Sequence, residues 1–506
     1  MHTIIHGDCL EELKKLEDNS IDAVVCDPPY GLSNTKPQQV ADVLKAWVTG
    51  DTEAVPTTKV GFMGASWDSF VPPPAVWEEC MRVLKPGGHM AVFAGARTQD
   101  LMGLSIRLAG FEIRDTLGWV YGSGMPKSLD VSKAIDKARR EDAEPVKAVA
   151  KALREALEAS GKTRKEIDAH FGTANVSQYW FSPHRNSQVP PVDKWPWLRD
   201  FLGIDSSLDA EVWRLNGRKG TPGEAWEKRE VVGVKKAGIA TPGDRDRYTV
   251  GGSRAVEVNI TAPATSEAQR WDGWGTALKP AIEPIILARK PLDGTVASNV
   301  LAHGVGGLNI DACRVSGEGL KASDYDDSRR SAPKFSGILN GGKEGAYRSR
   351  IGEVPSGRFP ANVLLDEHAA KEMDEQSGAA GAHGESRGDG TRGMLGWQSD
   401  NRQTTNVGAG GASRFFPVFK YQAKAPKRER PVIEREDGSK IQHPTVKPVA
   451  LMEWLVELIT PPGGVVLDPF AGSGTTLQAA INKGFAPIGI EQDADYIKLI
   501  EQRLAA

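Results

Sequence analysis

The stretch "VVLDPFAGSGTT", residues 465–476, decides the fold because it passes from an apolar strand to a glycine loop and then to a helix. It begins with a short apolar run that is rich in β-branched residues, which predicts a buried strand. Gly472 and Gly474 let the backbone approach a ligand closely, and the start of the following helix offers unpaired N–H groups. At the end of the next predicted strand, Glu491 supplies a carboxylate that can accept both hydroxyls of a ribose. The stretch predicts the nucleotide-binding half of an α/β sheet, and the lack of a Walker-type Lys-Ser/Thr disfavours a triphosphate.

A second stretch, "VVCDPPYGLS" at residues 24–33, places chemistry at the end of another strand. The preceding apolar run predicts a strand buried on both faces of a parallel sheet. Asp27 then lies at its carboxyl end, where open α/β sheets place their ligands. The alternative is a plain turn after a strand, which Asp-Pro readily forms.

The remaining pattern supports the same fold class. Strand-like and helical runs alternate through residues 1–140 and again after residue 440, which is typical of βαβ units. We therefore predict an α/β protein with a Rossmann-like, doubly wound and mostly parallel sheet.

Composition excludes several classes of protein. The chain has 506 residues, of which 40% are hydrophobic and 25% charged, so it can bury a large core and divide into several domains. No long apolar segment or basic leader supports membrane insertion or export, so a cytoplasmic location is expected. The four cysteines lack Cys-x-x-Cys spacing, which argues against a disulfide framework or a structural zinc site. No metal site is predicted.

Two segments depart from the α/β pattern. Residues 142–228 contain a strongly helical run, a Gly turn and a short Thr-initiated helix, which resembles a helix-turn-helix DNA-binding module. The alternative is a small helical decoration of the fold. Residues 301–440 are rich in Gly, Ser, Asp and Arg, which predicts a loop-rich region that becomes ordered when a partner binds.

Three motifs in a fixed order resemble one known family. "DPPY", then "HPTVKP" at residues 443–448, then "DPFAGSGTT" look like the S-adenosylmethionine-dependent amino-methyltransferases that modify exocyclic amines of DNA bases. The order, with the catalytic motif first and the cofactor motif last, resembles the circularly permuted β group of that family. The resemblance implies five segments: a catalytic half at 1–141, a helical insertion at 142–228, the rest of the catalytic half at 229–300, a target-recognition region at 301–440, and an S-adenosylmethionine-binding half at 441–506.

The permutation implies an order of strands. If the strands ending at Asp468 and Glu491 are the first two of the sheet, then the strand ending at "HGD" is the third and the strand ending at Asp27 is the fourth. The two chain termini should then lie close together, as domain termini often do.

The resemblance also implies the site residues. The catalytic residues would be Asp27, Pro28, Pro29 and Tyr30. The cofactor-binding residues would be Asp8, Cys9, Thr445, Lys447, Asp468, Pro469, Phe470, Gly472, Ser473, Gly474, Thr475 and Glu491. Asp8 would accept from the cofactor adenine, while its alternative role is the N-cap of the next helix. Trp119 and Tyr121 are candidates for a base pocket or for the core.

The chemistry explains the choice of residues in "DPPY". An exocyclic amine is a poor nucleophile because its lone pair is conjugated into the base. Asp27 and the carbonyl of Pro28 would accept its two N–H bonds and so turn the lone pair toward the methyl group. The prolines leave no backbone N–H to compete for these acceptors. Tyr30 would stack on a base that has left the duplex.

Several functions stay open at this point. Asp in the first position of the motif resembles adenine-N6 enzymes, so the predicted activity is methylation of adenine N6 in a flipped-out base of double-stranded DNA. The alternatives are cytosine-N4 methylation and a DNA-binding regulator with a decayed core; protein glutamine methylation is disfavoured because those enzymes usually carry Asn in the motif. A homodimer, a restriction endonuclease partner and a restriction-modification role are open.

Overall fold

The structure is a computed structural model, and it describes residues 2–33, 35–56, 68–122, 124, 128–173, 175, 177–184, 187–238, 255–315, 357–378, 411–419, 430–435 and 437–505. The described chain divides into two compact units, one of residues 1–124 with 280–506 and one of residues 125–279. The predicted insertion at 142–228 lies inside the second unit, which also contains most of the segment predicted as the rest of the catalytic half.

The strands are numbered in chain order. They are β1 (Thr3–His6), β2 (Ile21–Cys26), β3 (Leu84–Phe93), β4 (Glu112–Val120), β5 (Val231–Gly238), β6 (Ala255–Thr261), β7 (Ile282–Arg289), β8 (Val363–Asp366), β9 (Val418–Phe419), β10 (Ile433–Glu434), β11 (Lys440–Ile441), β12 (Val465–Asp468) and β13 (Ala486–Glu491).

The α-helices are numbered in the same way. They are α1 (Cys9–Leu13), α2 (Pro37–Val48), α3 (Pro74–Val83), α4 (Gln99–Leu108), α5 (Val131–Lys137), α6 (Ala143–Ser160), α7 (Arg164–His170), α8 (Ser177–Trp180), α9 (Trp195–Leu202), α10 (Asp209–Gly217), α11 (Glu224–Glu227), α12 (Ser266–Arg270), α13 (Val296–His303), α14 (Glu367–Ser377), α15 (Val449–Ile459), α16 (Thr475–Asn482) and α17 (Ala494–Ala505).

Within the described residues, nine strands form one sheet in the order β1-β13-β12-β2-β3-β7-β4-β8-β9. Every neighbouring pair is parallel except those that involve β7, which runs antiparallel to β3 and to β4. In the predicted numbering, β12, β13, β1 and β2 are the first to fourth strands, and their spatial order is third, second, first and fourth, as in a Rossmann-like sheet. The first and last strands of the chain pair directly, with Thr3 opposite Ile488.

Helices cover both faces of this sheet, so the prediction of a doubly wound α/β fold is confirmed. All six residues of β2 are buried, as expected for a strand packed on both sides. One face packs against Leu13, Trp77 and Met102 of α1, α3 and α4. The other face packs against α15 and α16 through apolar side chains such as Leu451 and Ala479.

The region predicted to be loop-rich differs from expectation in part. Its apolar run at 363–365 forms β8, which pairs with β4, and β9 pairs in turn with β8. Trp119 of β4 is buried and packs edge-on against Phe419 of β9, so it belongs to the core rather than to a base pocket. Residues 316–356, 379–410 and 420–429 of this region lie outside the described residues.

The second unit is mainly helical with one hairpin. Its core contains Leu153 of α6, Ile167 of α7, Trp180 of α8 and Trp195 of α9, all almost fully buried. Strands β5 and β6 pair antiparallel. Among the described helices of the whole chain, none has both the length and the apolar character needed to cross a bilayer.

Asp22 provides a test of how the sheet is held together. Its carboxylate lies 2.6 Å from Lys85 Nζ and accepts from Val465 N–H at 2.8 Å, so it ties β2 to the start of β12 in a buried setting. Replacing Asp22 by Ala should lower the free energy of unfolding by about 1–3 kcal/mol, because it leaves the Val465 N–H and the half-buried Lys85 ammonium without their acceptor. Urea denaturation measures this change.

Asp18 is the matched control. It also forms an ion pair, in this case with Arg82, but its side chain is 68% exposed. Asp18→Ala should change the free energy of unfolding by less than about 1 kcal/mol. Equal effects of the two substitutions would contradict a structural role for the Asp22 contacts.

Candidate active site at the carboxyl ends of β2 and β12

The two sequence motifs meet at one edge of the sheet. Strands β2 and β12 are parallel neighbours, with Val24 opposite Leu467, so Asp27 and Asp468 leave the sheet at the same end. On one side of β12 the sheet continues with β13 and β1, and on the other side it continues with β2 and β3. This reversal is a topological switch point, the place where open α/β sheets bind ligands.

The "DPPY" loop is fixed by contacts on both sides of Tyr30. The hydroxyl of Thr98 donates to the carbonyl of Tyr30 at 2.6 Å, and Gly31 N–H donates to Asp68 Oδ1 at 2.8 Å. Gly31 has a φ of +65°, and a Cβ there would lie 2.7 Å from the backbone of Phe70. The loop therefore holds Asp27 and Tyr30 on a backbone that a larger residue at position 31 would disturb.

A lysine from the other end of the chain joins this loop. Lys447 Nζ lies 2.8 Å from Asp27 Oδ2, 3.1 Å from Glu283 Oε2 and 3.0 Å from the Tyr30 hydroxyl. Tyr30 also donates to Glu283 Oε2 at 3.2 Å. We call these four residues the Lys447 cluster.

Charge in the Lys447 cluster is largely removed from solvent. Burial alone would lower the pKa of Lys447, but Asp27 and Glu283 outweigh it, so that the pKa of Lys447 is raised and the side chain stays a cation. Burial, with help from Asp27 and Glu283, raises the pKa of the Tyr30 hydroxyl well above its usual value. Tyr30 is therefore a neutral phenol at physiological pH.

One oxygen of Asp27 stays free for another donor. Lys447 binds Oδ2, while Oδ1 is buried and has no hydrogen-bond partner among the described residues. Buried carboxylate oxygens are normally paired, so an unpaired one next to a switch point marks a place where a ligand N–H or O–H fits.

The glycine loop is held from two directions. Gly472, with φ +53°, donates its N–H to Glu491 Oε2 at 2.8 Å. Gly474, with φ +77°, is the N-cap of α16, and a Cβ there would meet Ile500 at 3.0 Å. Arg503 Nε of α17 donates to the carbonyl of Ser473 at 2.6 Å. The loop is therefore fixed by the strand that follows it and by the last helix.

Two carboxyl groups beside the loop are poorly solvated. The pKa of Asp468 is raised to about 7, mainly by burial; hydrogen bonds from Thr476 and Phe470 oppose the rise, and the nearby charges of Asp27 and Glu491 add to it. Burial also raises the pKa of Glu491. Asp468, Glu491 and Asp27 thus lie in the same part of the protein. Three neighbouring acidic groups favour a ligand that carries positive charge.

The other predicted cofactor residues have mixed surroundings. Asp8 caps α1 by accepting from Leu10 N–H and Glu11 N–H, so its N-cap role is present. Burial raises the pKa of the Cys9 thiol to about 12, which keeps it protonated and unreactive. Phe470 packs against Trp77 with ring centres 6.0 Å apart. The other predicted cofactor contacts of the loop, those of Pro469, Ser473 and Thr475, stay predictions, as do those of Asp8, Cys9 and Phe470.

"HPTVKP" contributes differently at its two ends. Lys447 reaches the "DPPY" loop, whereas the exposed Thr445 contributes its carbonyl to a contact with His443 Nδ1. The His443 ring packs edge-on against Tyr496, and its Nε2 lies 3.0 Å from where a Cβ on Gly472 would be. His443 therefore forms one wall of the glycine loop.

Sequence reasoning missed Glu283, His443 and Arg503 as site residues. Glu283 lies in "KPAIEPIILARKP", residues 279–291, where an acidic residue at the start of an apolar strand is the available signal. His443 was inside a quoted motif. Arg503 had no local signal, because its contact with Ser473 depends on how α17 packs.

Comparison with known proteins identifies the family of the chain. The sequence profile of a DNA methylase family, the N6/N4 methylases, matches residues 21–197 and 274–502, and the chain belongs to this family. YubD of Escherichia coli (strain K12), which carries the name of a methylase, is 52% identical over 64 residues, or 13% of this chain and 28% of YubD. The DNA adenine methyltransferase YhdJ of the same organism is 50% identical over 62 residues, or 12% of this chain and 21% of YhdJ. The chain thus matches about a quarter of the length of each.

The chain also matches solved structures, at low sequence identity and low TM-score. The M1.HpyAVI-SAM complex has a TM-score of 0.33 at 13% identity, with full coverage of both chains. The cytosine-N4-specific PvuII DNA methyltransferase has a TM-score of 0.35 at 12% identity and covers 99% of this chain and 87% of its own.

Gly472 offers a direct test of the glycine loop as a ligand site. Gly472→Ala adds a Cβ at a position with positive φ and within 3.0 Å of His443. We expect binding of S-adenosylmethionine to weaken at least about tenfold, because the loop can no longer approach a ligand closely. Isothermal titration calorimetry measures the affinity.

Gly484→Ala is the matched control. Gly484 also has a positive φ, +80°, but a Cβ there meets nothing within 4 Å. It should carry a similar backbone strain and leave the affinity unchanged. If both variants bind S-adenosylmethionine with the same affinity, Gly472 does not belong to the binding site.

Proposed function

We propose that this protein is a DNA methyltransferase that transfers a methyl group from S-adenosylmethionine to the N6 amine of adenine. The observation that carries the proposal is Asp27, whose Oδ2 is held by Lys447 while Oδ1 is buried and unpaired among the described residues. An acceptor fixed in this way, beside a glycine loop, suits a substrate amine that must be oriented before it can react.

The cofactor pocket suits a positively charged nucleoside. When bound, S-adenosylmethionine supplies a methyl group already activated on a sulfonium. Gly472 and Gly474 give close approach of the backbone, and Asp468 and Glu491 supply the negative charge that a cationic ligand would relieve. The other members of the proposed set of cofactor residues are Asp8, Cys9, Thr445, Lys447, Pro469, Phe470, Ser473 and Thr475.

Asp27 and Pro28 would orient the target nitrogen. Asp27 Oδ1 accepts one N–H of the amine and the carbonyl of Pro28 accepts the other, so the nitrogen pyramidalises and its lone pair becomes available. Neither Pro28 nor Pro29 has a backbone N–H that could compete for these acceptors. Asp27 contributes most as the nitrogen rehybridises, so its loss should affect turnover more than binding.

Tyr30 would hold the base itself. Its ring is tethered at the hydroxyl end by Lys447 and Glu283, which fixes the plane on which a flipped-out base would stack. Base–aromatic stacks contribute about 1–3 kcal/mol per base. Because the amine is inaccessible inside a duplex, this stacking would also compensate part of the unpairing energy.

Adenine is the favoured base for two reasons. Asp in the first position of "DPPY" resembles adenine-N6 enzymes, and YhdJ, which shares 50% identity over 62 residues, is named as an adenine methyltransferase. Double-stranded DNA is the substrate in this proposal, and the expected location is the cytoplasm. A homodimer, a cognate restriction endonuclease and the five-segment division of the chain stay predictions from the sequence.

Nucleoside analysis tests the proposal. The purified full chain should transfer tritium from methyl-labelled S-adenosylmethionine to unmethylated genomic DNA, and hydrolysis should yield N6-methyldeoxyadenosine. Asp27→Ala should bind cofactor and DNA but lose about a hundredfold or more in turnover, the scale on which removing one oriented group acts.

Other products have distinct meanings. If the product is N4-methyldeoxycytidine, the protein methylates cytosine N4 by the same chemistry, and the adenine proposal is wrong. A folded wild-type protein that binds S-adenosylmethionine yet yields no methylated nucleoside would contradict the proposal and favour a regulator with a decayed core. Asp100→Ala, which removes an exposed carboxylate at the start of α4, is the control for nonspecific effects of charge.

A further inference from the structure

The second unit contains a pair of short helices that the proposed chemistry does not use. Helix α6 ends at Gly161, which has a left-handed conformation, and Thr163 then caps α7 with Glu166 in a capping box. After α7 the chain turns at Gly172, with φ +63°, and enters α8. The glycine turn predicted from the sequence lies between α6 and α7, and a second one lies at Gly172, between α7 and α8.

Specific contacts lock α7 against α8. Asp168 Oδ1 of α7 accepts from Ser177 N–H at the start of α8, at 2.9 Å. Phe171, just after α7, packs edge-on against Trp180 of α8 with ring centres 5.9 Å apart. Ile167 and Trp180 anchor both helices in the core of the unit. Helix α7, a turn at Gly172 and the four-residue helix α8 thus share one core, an arrangement related to a helix-turn-helix but with a shorter second helix.

The outer surface of this pair is basic and polar. Arg164 and Lys165 of α7 and Asn175, Gln178 and Tyr179 of the turn and α8 are exposed. Within the part of the chain that the structure describes, none of these five side chains makes an ion pair or hydrogen bond. We call these five residues the α7–α8 surface.

The two acidic residues of α7 are bound to other groups and do not pair with the cations of the α7–α8 surface. Glu166 turns back to accept from Thr163 N–H at 2.7 Å, and Asp168 is used by Ser177. Arg164 and Lys165 occupy the first turn of α7, where the positive end of the helix dipole disfavours cations. Their position therefore opposes helix stability, which points to a role outside folding.

We infer that the α7–α8 surface binds double-stranded DNA, as a contact separate from the active site. Arg164 and Lys165 would contact phosphates, which attract cations regardless of base sequence. Asn175 and Gln178 would face base edges in the major groove, since side-chain amides pair with adenine there through two hydrogen bonds. This inference rests on the proposed function only in taking duplex DNA as the substrate.

The salt dependence of DNA binding tests the inference in the full chain. The probe is a fluorescently labelled, mixed-sequence duplex of unmethylated DNA, measured by anisotropy over a series of KCl concentrations. Removing two phosphate contacts in Arg164→Ala/Lys165→Ala should make the slope of log K against log [salt] shallower by about 2, and should weaken binding on the order of tenfold at low salt. Turnover at saturating DNA should be unchanged, while KM for DNA rises.

The matched control removes two cations elsewhere in the same unit. Lys147 and Lys151 lie on exposed positions of α6, and each is next to a glutamate. Lys147→Ala/Lys151→Ala should leave the slope as in the wild type. Alanine at positions 164 and 165 favours helix, so a normal melting temperature is expected and a folding defect is not a substitute explanation.

Gln178→Ala separates base reading from phosphate contact. It should leave the salt slope unchanged but broaden the set of duplexes that the protein enriches from a random pool. An unchanged slope and KM in Arg164→Ala/Lys165→Ala would overturn the inference, as would an equal loss of affinity for single-stranded DNA. A wild type that yields no methylated nucleoside, yet shows the slope change, would refute the proposed function while supporting this surface.

Discussion

The ion pair between Lys447 and Asp27, at 2.8 Å, is the interaction on which the site depends. It joins residues from the two ends of the chain, and Glu283 of β7 adds a third segment to the contact. Removing charges from water is unfavourable unless they are paired, so the cluster holds only while all three elements are in place. The same pairing directs one oxygen of Asp27 toward Lys447 and leaves the other for a substrate donor.

The sheet explains why these distant residues meet. Because β2 and β12 are parallel neighbours, both motifs leave the sheet at one end, and α15 begins directly after "HPTVKP". Thr98 and Asp68 then fix the backbone around Tyr30, while Arg503 and Glu491 fix the glycine loop. Positioning is the main contribution that such a site can make when the methyl group arrives already activated.

Much of the fold was predictable because its signals are local. Apolar runs predicted β2 and β12, and glycines predicted the loop after β12. The permuted order of the motifs predicted that β1 and β13 belong to the same sheet as β12 and β2. Glu283 and Arg503 could not be assigned, since each acts through a residue far away in sequence. For Asp8 the sequence allowed two roles, the N-cap of α1 and an acceptor for the cofactor adenine. The N-cap depends on local geometry alone, and it is the role that the structure contains. The strands β8 and β9 lie in a segment whose glycine-rich composition concealed a short apolar run.

The turnover of Lys447→Met tests the central claim most directly. Without the ammonium, Asp27 Oδ2 loses the partner that holds it at 2.8 Å, so Asp27 Oδ1 is no longer fixed for the substrate amine. The kcat for methyl transfer to DNA should fall on the order of a hundredfold in Lys447→Met, the scale on which misplacing a reacting group acts, and Lys447→Arg should retain more of it because the positive charge is kept. A kcat that is the same in Lys447→Met and the wild type would show that Lys447 does not keep Asp27 ready to accept from the substrate amine.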